Sequence, residues 1–538
     1  MDFKVNSTQF LSSQGVPYHN SAEVDSLHIE VAKLKREVAS LTQENENLFQ
    51  KLLLMQIRQY GPKSEKNALK NHQGFNLFGD TLTGGEEAKQ NQEDEENQEE
   101  KPKKTEEDDN QQTKPKNKRK SGGRKAFPSH LEREDIKIIL PASERHCPFH
   151  GTLLEFFKWE TIEKLEVIPA KVKVYSIQRE VLHCPACEGK NIVTAPHEPT
   201  LFSKASVTDS TVAHFMVQKF LDGMPIYRQV EALKRQGVEL SRSTVSSWFL
   251  KATDALEPIA ELIKEHCLAQ AVIYADETTL QVLNEPGRKA QQKSYMWVMA
   301  TQQDGTRATY FHYNASRSTD SLKELIGHDF SGYVHCDAYA AYKSYTKDTN
   351  TTLVGCWSHV RRRFVEALKV SGKSKKSLAH YAVASIDELF KIERKYKQAT
   401  PEEKLQVRQE KSLPILTGLF DWAEDLVPNI SNNTFGRAIK YMLGQKQELS
   451  EFISHHDLEL SNNFAERIIK TFAIGRKAWL FSNTPNGAKS SAIASSILIT
   501  CKLNQIEPHA YISSVFKRIA SGDTHYEDML PWNFPPHK

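Results

Sequence analysis

Two adjoining stretches constrain this chain most. "GGEEAKQNQEDEENQEEKPKKTEEDDN" and "KPKNKRKSGGRK" hold no large apolar side chain. A segment without apolar surface cannot offset the entropy lost on ordering. Residues 61 to about 125 are therefore predicted to be a disordered, charged linker. Its basic half is suited to lie along a phosphate backbone. Compact structure has to form on either side. A chain of 538 residues exceeds a single core, so about two to four domains are expected.

Before the linker, Val24, Val31, Val38, Asn45 and Leu52 alternate at spacings of three and four with Leu27, Leu34, Leu41, Leu48 and Met55. β-Branched residues at one seam position and Leu at the other favour a parallel two-stranded coiled coil, and a single seam Asn fixes register. Residues 1–60 are predicted to be a dimerisation helix.

Beyond the linker, residues 126–200 read as a small β-rich domain. Strand-like pieces such as "DIKIIL" and "AKVKVYSIQREVLHC" lie around "HCPFHG" and "LHCPACEG". Cys147 and His150, with Cys184 and Cys187, form two knuckles with the spacing of a tetrahedral structural Zn²⁺ site. His146 and His183 are spare donors nearby.

Residues 201–266 read as helical. "YRQVEALKRQG" and "VELSRSTVSSWFL" predict helix, turn and helix, the second capped by Ser241 or Ser243. Val230 and Leu233 would face Val245, Trp248 and Phe249. Arg242, Ser243, Thr244 and Ser246 are then left at an exposed helix start, the arrangement of a DNA-reading helix-turn-helix.

No stretch is long and apolar enough to span a bilayer; "SSAIASSILIT" is short and rich in Ser. "MDFKVNSTQF" lacks a basic start followed by an apolar core, so a cytoplasmic protein is expected. In that reducing setting the 7 cysteines serve as ligands or buried thiols rather than disulfides.

The chemistry is expected after residue 267. "AVIYADETTLQVL", "KSYMWVMATQ" and "TRATYFHYNAS" read as three strands, "STDSLKELIGHD" as a helix, and "GYVHCDAYAAY" and "TTLVGCWSHV" as two more strands. That order is the one found in ribonuclease H-like folds. In such a sheet the first and fourth strands are neighbours, which would bring Asp276 and Asp337 together. Two carboxylates at one point repel, and a hard divalent cation removes the conflict. Glu466, early in a helix within "LELSNNFAERIIKTFAIGRKAWLFS", is a third acid, though by chemistry alone Glu459 is its equal. Arg467, Lys470, Arg476 and Lys477 add positive charge suited to phosphates, as do Arg361 and Arg362 in "CWSHVRRRF". Cys356 and His359 have metal-like spacing without a second pair close by. Trp357 and Trp479 are read as core residues.

With these motifs in this order, the chain resembles bacterial transposases of the insertion-sequence-66 family almost end to end. "IRQYGPKSEK" is similar to that family's coiled-coil exit, and the paired knuckles to its zinc domain. "FLDGMPIYRQVE…LSRSTVSSWF" resembles its helical signature. "ADET", "CDAYAAY", "CWSHVRRRF" and "NNFAERIIK…GRKAWLF" resemble its catalytic core, and "PHAYISSVFKRIA…DMLPWNF" its C-terminal piece. The resemblance implies a multidomain α/β protein with a ribonuclease H-like catalytic domain at 267–485, a helical insertion at about 360–455 and a C-terminal domain at 486–538. It implies a DDE transposase in which Asp276, Asp337 and Glu466 hold two Mg²⁺ (or Mn²⁺) ions. Its partners would be terminal inverted repeats, target DNA, further copies of itself and accessory proteins from the same element. Two residues depart from the family pattern. Ser461 stands where an acid is usual before the paired Asn, and is expected to cap the helix instead. His150 stands where Cys is common.

A ribonuclease H-like nuclease or resolvase without strand transfer, and an inactive DNA-binding copy acting as repressor, are the alternative functions.

Overall fold

A computed structural model describes residues 21–60, 192–303, 305–371 and 377–535, with scattered residues between 133 and 183. The described chain falls into two units. One comprises Met1–Gly85 with Pro199–Pro535, the other chiefly Glu86–Glu198.

In the first unit, α1 (Ser21–Tyr60) is a single 40-residue helix. Its predicted seam is open to solvent: Val31, Leu34, Val38, Leu41, Leu48, Leu52 and Met55 are 45–67% exposed. The second unit contributes β1 (Val181–His183) and β2 (Ile192–Thr194), an antiparallel pair. Cys147, Cys184 and Cys187 lie outside the described residues, while His150 is exposed. The longer strand expected through Lys173–Gln178 is irregular, and Val174 and Ile177 face solvent.

Past Pro199 come α2 (Asp209–Phe220), α3 (Ile226–Lys234) and α4 (Arg242–Leu268). Ser241 caps α4, its hydroxyl accepting from Thr244 N at 3.0 Å. Val230, Val245, Trp248 and Phe249 are buried between the helices, and Arg242, Ser243, Thr244 and Ser246 are exposed. The expected helix–turn–helix is present. It does not stand apart from the sheet, because its apolar residues share one core with Ile273, Ala275 and Trp297.

The sheet is five-stranded: β3 (Val272–Gln281), β4 (Lys293–Thr301), β5 (Ala308–Asn314), β6 (Tyr333–His335) and β7 (Thr352–Val354), in the order β5-β4-β3-β6-β7. β3, β4 and β5 pair antiparallel, whereas β6 and β7 run parallel to β3. Helix α5 (Thr319–Ile326) connects β5 to β6, and α6 (Ala340–Tyr345) follows β6. Alternation along β3 serves both faces. Ile273 and Ala275 enter one core, while Val272, Tyr274 and Leu280 enter the other.

The second core is covered by α7 (Trp357–Ser371), α8 (Leu378–Lys395), α9 (Pro401–Val407), α10 (Leu413–Leu426), α11 (Thr434–Leu443), α12 (Lys446–Ser450) and α13 (Asn463–Trp479). Trp357 is fully buried, and its indole N–H donates to Leu449 O at 2.9 Å. Trp479 packs edge-on against Phe220 and Phe472, as a core residue should. Helices α14 (Pro485–Leu503) and α15 (Pro508–Ala520) return to the first core. No helix among the described residues is long and apolar enough to cross a membrane.

Candidate active site

The pairing of β3 with β6 sets the site. Val272 lies opposite Tyr333, Ile273 opposite Val334 and Tyr274 opposite His335. Continuing that register by two residues brings Asp337 level with Asp276, where the chain leaves β6 and neighbouring strands are about 4.8 Å apart. Asp337 Oδ1 accepts from Tyr339 N at 2.9 Å, and Asp276 Oδ1 accepts from Glu277 N at 2.9 Å.

Glu466 arrives from the other side, in the first turn of α13. Asp276 shares the Tyr274 face of β3 by alternation, and Phe464 of α13 packs edge-on to Tyr274 at 5.3 Å. Asn462 fixes this approach: its side-chain amide donates to Ala275 O at 2.7 Å, one residue before Asp276. Its backbone N–H donates to Cys356 Sγ at 3.3 Å, and Trp357 N donates to Leu460 O at 2.9 Å. The starts of α7 and α13 are thus stitched to each other and to β3.

Electrostatics report the convergence. Burial pushes the Asp276 carboxyl well above its ordinary range, and the charges of Glu277, Glu466 and Asp337 push it further. Glu459 is not among the leading charges on Asp276. It is enclosed elsewhere, accepting from Gln302 at 2.8 Å and facing Arg467 and Lys404. That agrees with the choice of Glu466 implied by the family resemblance, where chemistry alone left the two glutamates equal.

Glu277 points to the opposite face. Arg317 pairs with it, with Nε at 2.6 Å, and Tyr342 donates its hydroxyl at 3.1 Å. Burial still holds the Glu277 carboxyl above its ordinary value, so desolvation outweighs the ion pair. Arg317 also stacks on Tyr339 at 3.6 Å, and both line a cavity of about 640 Å³ with Arg288, Lys293 and Tyr295. Sequence reading misses this cleft, because its cations come from separate loops and form no run.

Two expected DNA-contacting residues have other work. Arg361 is 1% exposed and pairs with Asp387 at 2.5 Å, so it is a buried structural cation. Successive helix residues turn by about 100°, and only Arg362 faces the acids, 3.7 Å from Glu466 Oε2. Arg476 bonds Thr278 Oγ1 at 2.9 Å and Thr279 Oγ1 at 3.1 Å, tying α13 to β3. Lys470 and Lys477 are exposed, and Arg467 partly so. Ser461 does not cap α13. The cap position is Asn462, whose side chain makes no capping bond, and Ser461 is buried at 7% exposure.

Asp276, Asp337 and Glu466 offer only oxygen donors, the kind a hard divalent cation takes, but their oxygens do not all lie within 4.8 Å of one another. Asn462 Oδ1 is buried beside them without a hydrogen-bond donor. The raised Asp276 carboxyl and this unsatisfied acceptor fit a cation such as Mg²⁺.

Strands β3 and β6 and the start of α13 thus bring Asp276, Asp337 and Glu466 into electrostatic range of one another. Residues 204–490 match the model of the family described as "Transposase IS66 family". Residues 47–136 match "Transposase C of IS166 homeodomain", and residues 496–532 match "IS66 C-terminal element". The chain belongs to the IS66 transposase family. It is similar to three proteins of Sinorhizobium fredii (strain NBRC 101917 / NGR234). Uncharacterized protein y4qI is 30% identical over 535 residues, covering 96% of this chain and 94% of the relative. Uncharacterized protein y4jD is 29% identical, covering 76% and 81%. Uncharacterized protein y4hP is 30% identical, covering 77% and 78%.

Proposed function

We propose that the chain is a cytoplasmic DDE transposase, built on a ribonuclease H-like core, that cleaves insertion-sequence ends and joins them to target DNA. The observation that supports this best is the β3–β6 register. Extended by two residues, that register would put Asp337 beside Asp276, and Glu466 adds to the charges felt there. These three residues would hold two Mg²⁺ or Mn²⁺ ions, which when bound activate an attacking oxygen and stabilise the leaving oxygen of a phosphodiester.

The protein's own groups do the rest. Asn462 and Arg476 clamp α13 to β3, so Glu466 keeps its place relative to Asp276. Arg362, Arg467, Lys470 and Lys477 offer positive charge to the DNA backbone near the acids. The cleft of Arg288, Lys293, Arg317 and Tyr339 receives the strand beside Asp337. Hydrolysis at each end frees a 3′-hydroxyl, which then attacks a target phosphodiester and displaces its 3′-oxygen.

DNA recognition is assigned to the exposed start of α4, with Arg242, Ser243 and Thr244 facing the duplex. The zinc knuckles of Cys147, His150, Cys184 and Cys187 add a structural module. The open seam of α1 supports a parallel homodimer that holds two ends together. Terminal inverted repeats, target DNA and accessory proteins from the same element complete the set of partners.

The test uses both uncleaved and pre-cleaved ends, with target plasmid and Mg²⁺. Joined product from the unaltered chain, absent with Asp276→Asn, is the expected result. Cleavage without joining identifies a nuclease or resolvase. Binding to ends with equal background from both proteins identifies an inactive repressor-like copy.

A further inference from the structure

We propose that Cys356, His359 and Glu466 form a second metal site, of the transition-metal class typified by Zn²⁺, and that an ion held there withdraws Glu466 from the acid cluster. The inhibitory half of this proposal rests on the transposase reading above. The binding half does not.

The spacing Cys-x₂-His at the start of α7 lacks a partner pair in the sequence, and the fold supplies the third donor from α13. Cys356 Sγ, one His359 ring nitrogen and one Glu466 oxygen all lie within 4.8 Å of one another. Cys356 Sγ is 3.9 Å from Glu466 Oε1, and His359 Nδ1 is 3.6 Å from the same oxygen. The second separation is too long for a hydrogen bond. Both lie near the edge of a tetrahedron around one ion: bonds of about 2.0–2.3 Å put neighbouring donors about 3.5 Å apart.

The donors are also of the right kind. Thiolate, imidazole and carboxylate together select Zn²⁺ or Co²⁺ over Mg²⁺, whereas the neighbouring acids are all oxygen. His359 Nδ1 is buried and makes no hydrogen bond. Arg362 faces the other Glu466 oxygen, leaving Oε1 to the Cys–His pair.

The ligand loop is held from both sides. Gly355 N donates to Glu448 O at 2.8 Å, and an added Cβ there would meet Leu449 at 2.9 Å. Trp357 anchors the helix start in the second core. Three protein donors leave a fourth position for water. A single glutamate cannot serve both sites at full strength, so soft ions compete with Mg²⁺ for it.

The test uses the full chain, stripped of metal and loaded with Co²⁺ or Zn²⁺, beside Cys356→Ser and His359→Gln. Bound metal is counted after dialysis, and the thiolate-to-cobalt absorption is recorded. Circular dichroism and melting serve as checks of folding. The unaltered chain is expected to retain one more ion than either variant, and Cys356→Ser to lose one thiolate's share of the absorption. The zinc knuckles contribute equally to all three proteins and cancel. Should Cys356→Ser fail to fold, His359→Gln gives the same comparison from a partly exposed position outside the acid cluster. Equal counts in all proteins overturn the site.

In end cleavage with Mg²⁺, added Zn²⁺ is expected to inhibit the unaltered chain, and His359→Gln to need at least about tenfold more. Inhibition at the same Zn²⁺ concentration in both overturns the competition. An extra ion in a chain that cleaves nothing sustains the metal site and removes the transposase reading. Cleavage with equal metal counts does the reverse.

Discussion

Strand β3 carries a run of apolar residues and helix α1 a heptad repeat of them, and the two use their apolar surface in opposite ways. Along β3, Val272, Ile273, Tyr274, Ala275 and Leu280 are at most 1% exposed. Along α1, the seam residues from Val31 to Met55 stay 45–67% exposed. A pattern satisfied inside the chain defines a fold, while a pattern left open asks for another chain. Asp276 interrupts the satisfied pattern with a carboxylate that the surroundings disfavour. Asn45 interrupts the open one with an amide suited to register.

The first and largest test of that contrast is Asp276→Asn. Removing this carboxylate is expected to lower Mg²⁺-dependent end cleavage by about 10³-fold or more, read from nicked-product rates. Next, Arg361→Ala strands Asp387 and should cost about 3–5 kcal/mol in denaturant unfolding. Arg362→Ala, one residue on, should stay within about 0.5 kcal/mol. Equal effects would erase the distinction between a buried and a partly exposed arginine.

On the α1 side, Leu34→Glu with Leu41→Glu should convert a dimer to a monomer by light scattering. Each buried Leu contributes about 1.5–3 kcal/mol to such a seam. Circular dichroism of the sheet-containing unit should not change. Gly475→Ala probes the packing that carries Glu466, because its Cβ would overlap the Trp479 ring. Overpacking of this kind costs about 1–3 kcal/mol.

The smallest effect is a pH dependence. Asp276 has a folded-state pKa raised above its unfolded value of about 3.9. Its contribution is therefore fully present below about pH 4 and is lost as pH rises toward the folded value. Metal-free protein should lose stability over that rise, and Asp276→Asn should lose less. Saturating Mg²⁺ should restore the unaltered chain.

The sheet's element order was readable because β3, β4 and β5 carry long apolar alternations broken by Gly- or Asn-bearing turns. Asp276 was readable because a carboxylate in such a run needs a reason. The ranking of Glu466 over Glu459 was not readable by chemistry alone, since both are acids near one helix start; the family resemblance chose Glu466. Arg361 and Arg362 look alike as letters and differ by about 100° of helix turn. Ser461 has a capping side chain, but burial beside Leu460 and the Asn462 bond to Ala275 O leave it no such role. Cys356 and His359 looked incomplete because their third neighbour comes from α13.

The account depends most on three distant acids sharing one cation site. Mn²⁺ binding, followed by electron paramagnetic resonance on the unaltered chain and on Asp276→Asn, Asp337→Asn and Glu466→Gln, tests this without DNA or turnover. Each substitution is predicted to weaken binding by about tenfold or more. Glu466→Gln binding Mn²⁺ as tightly as the unaltered chain would contradict it.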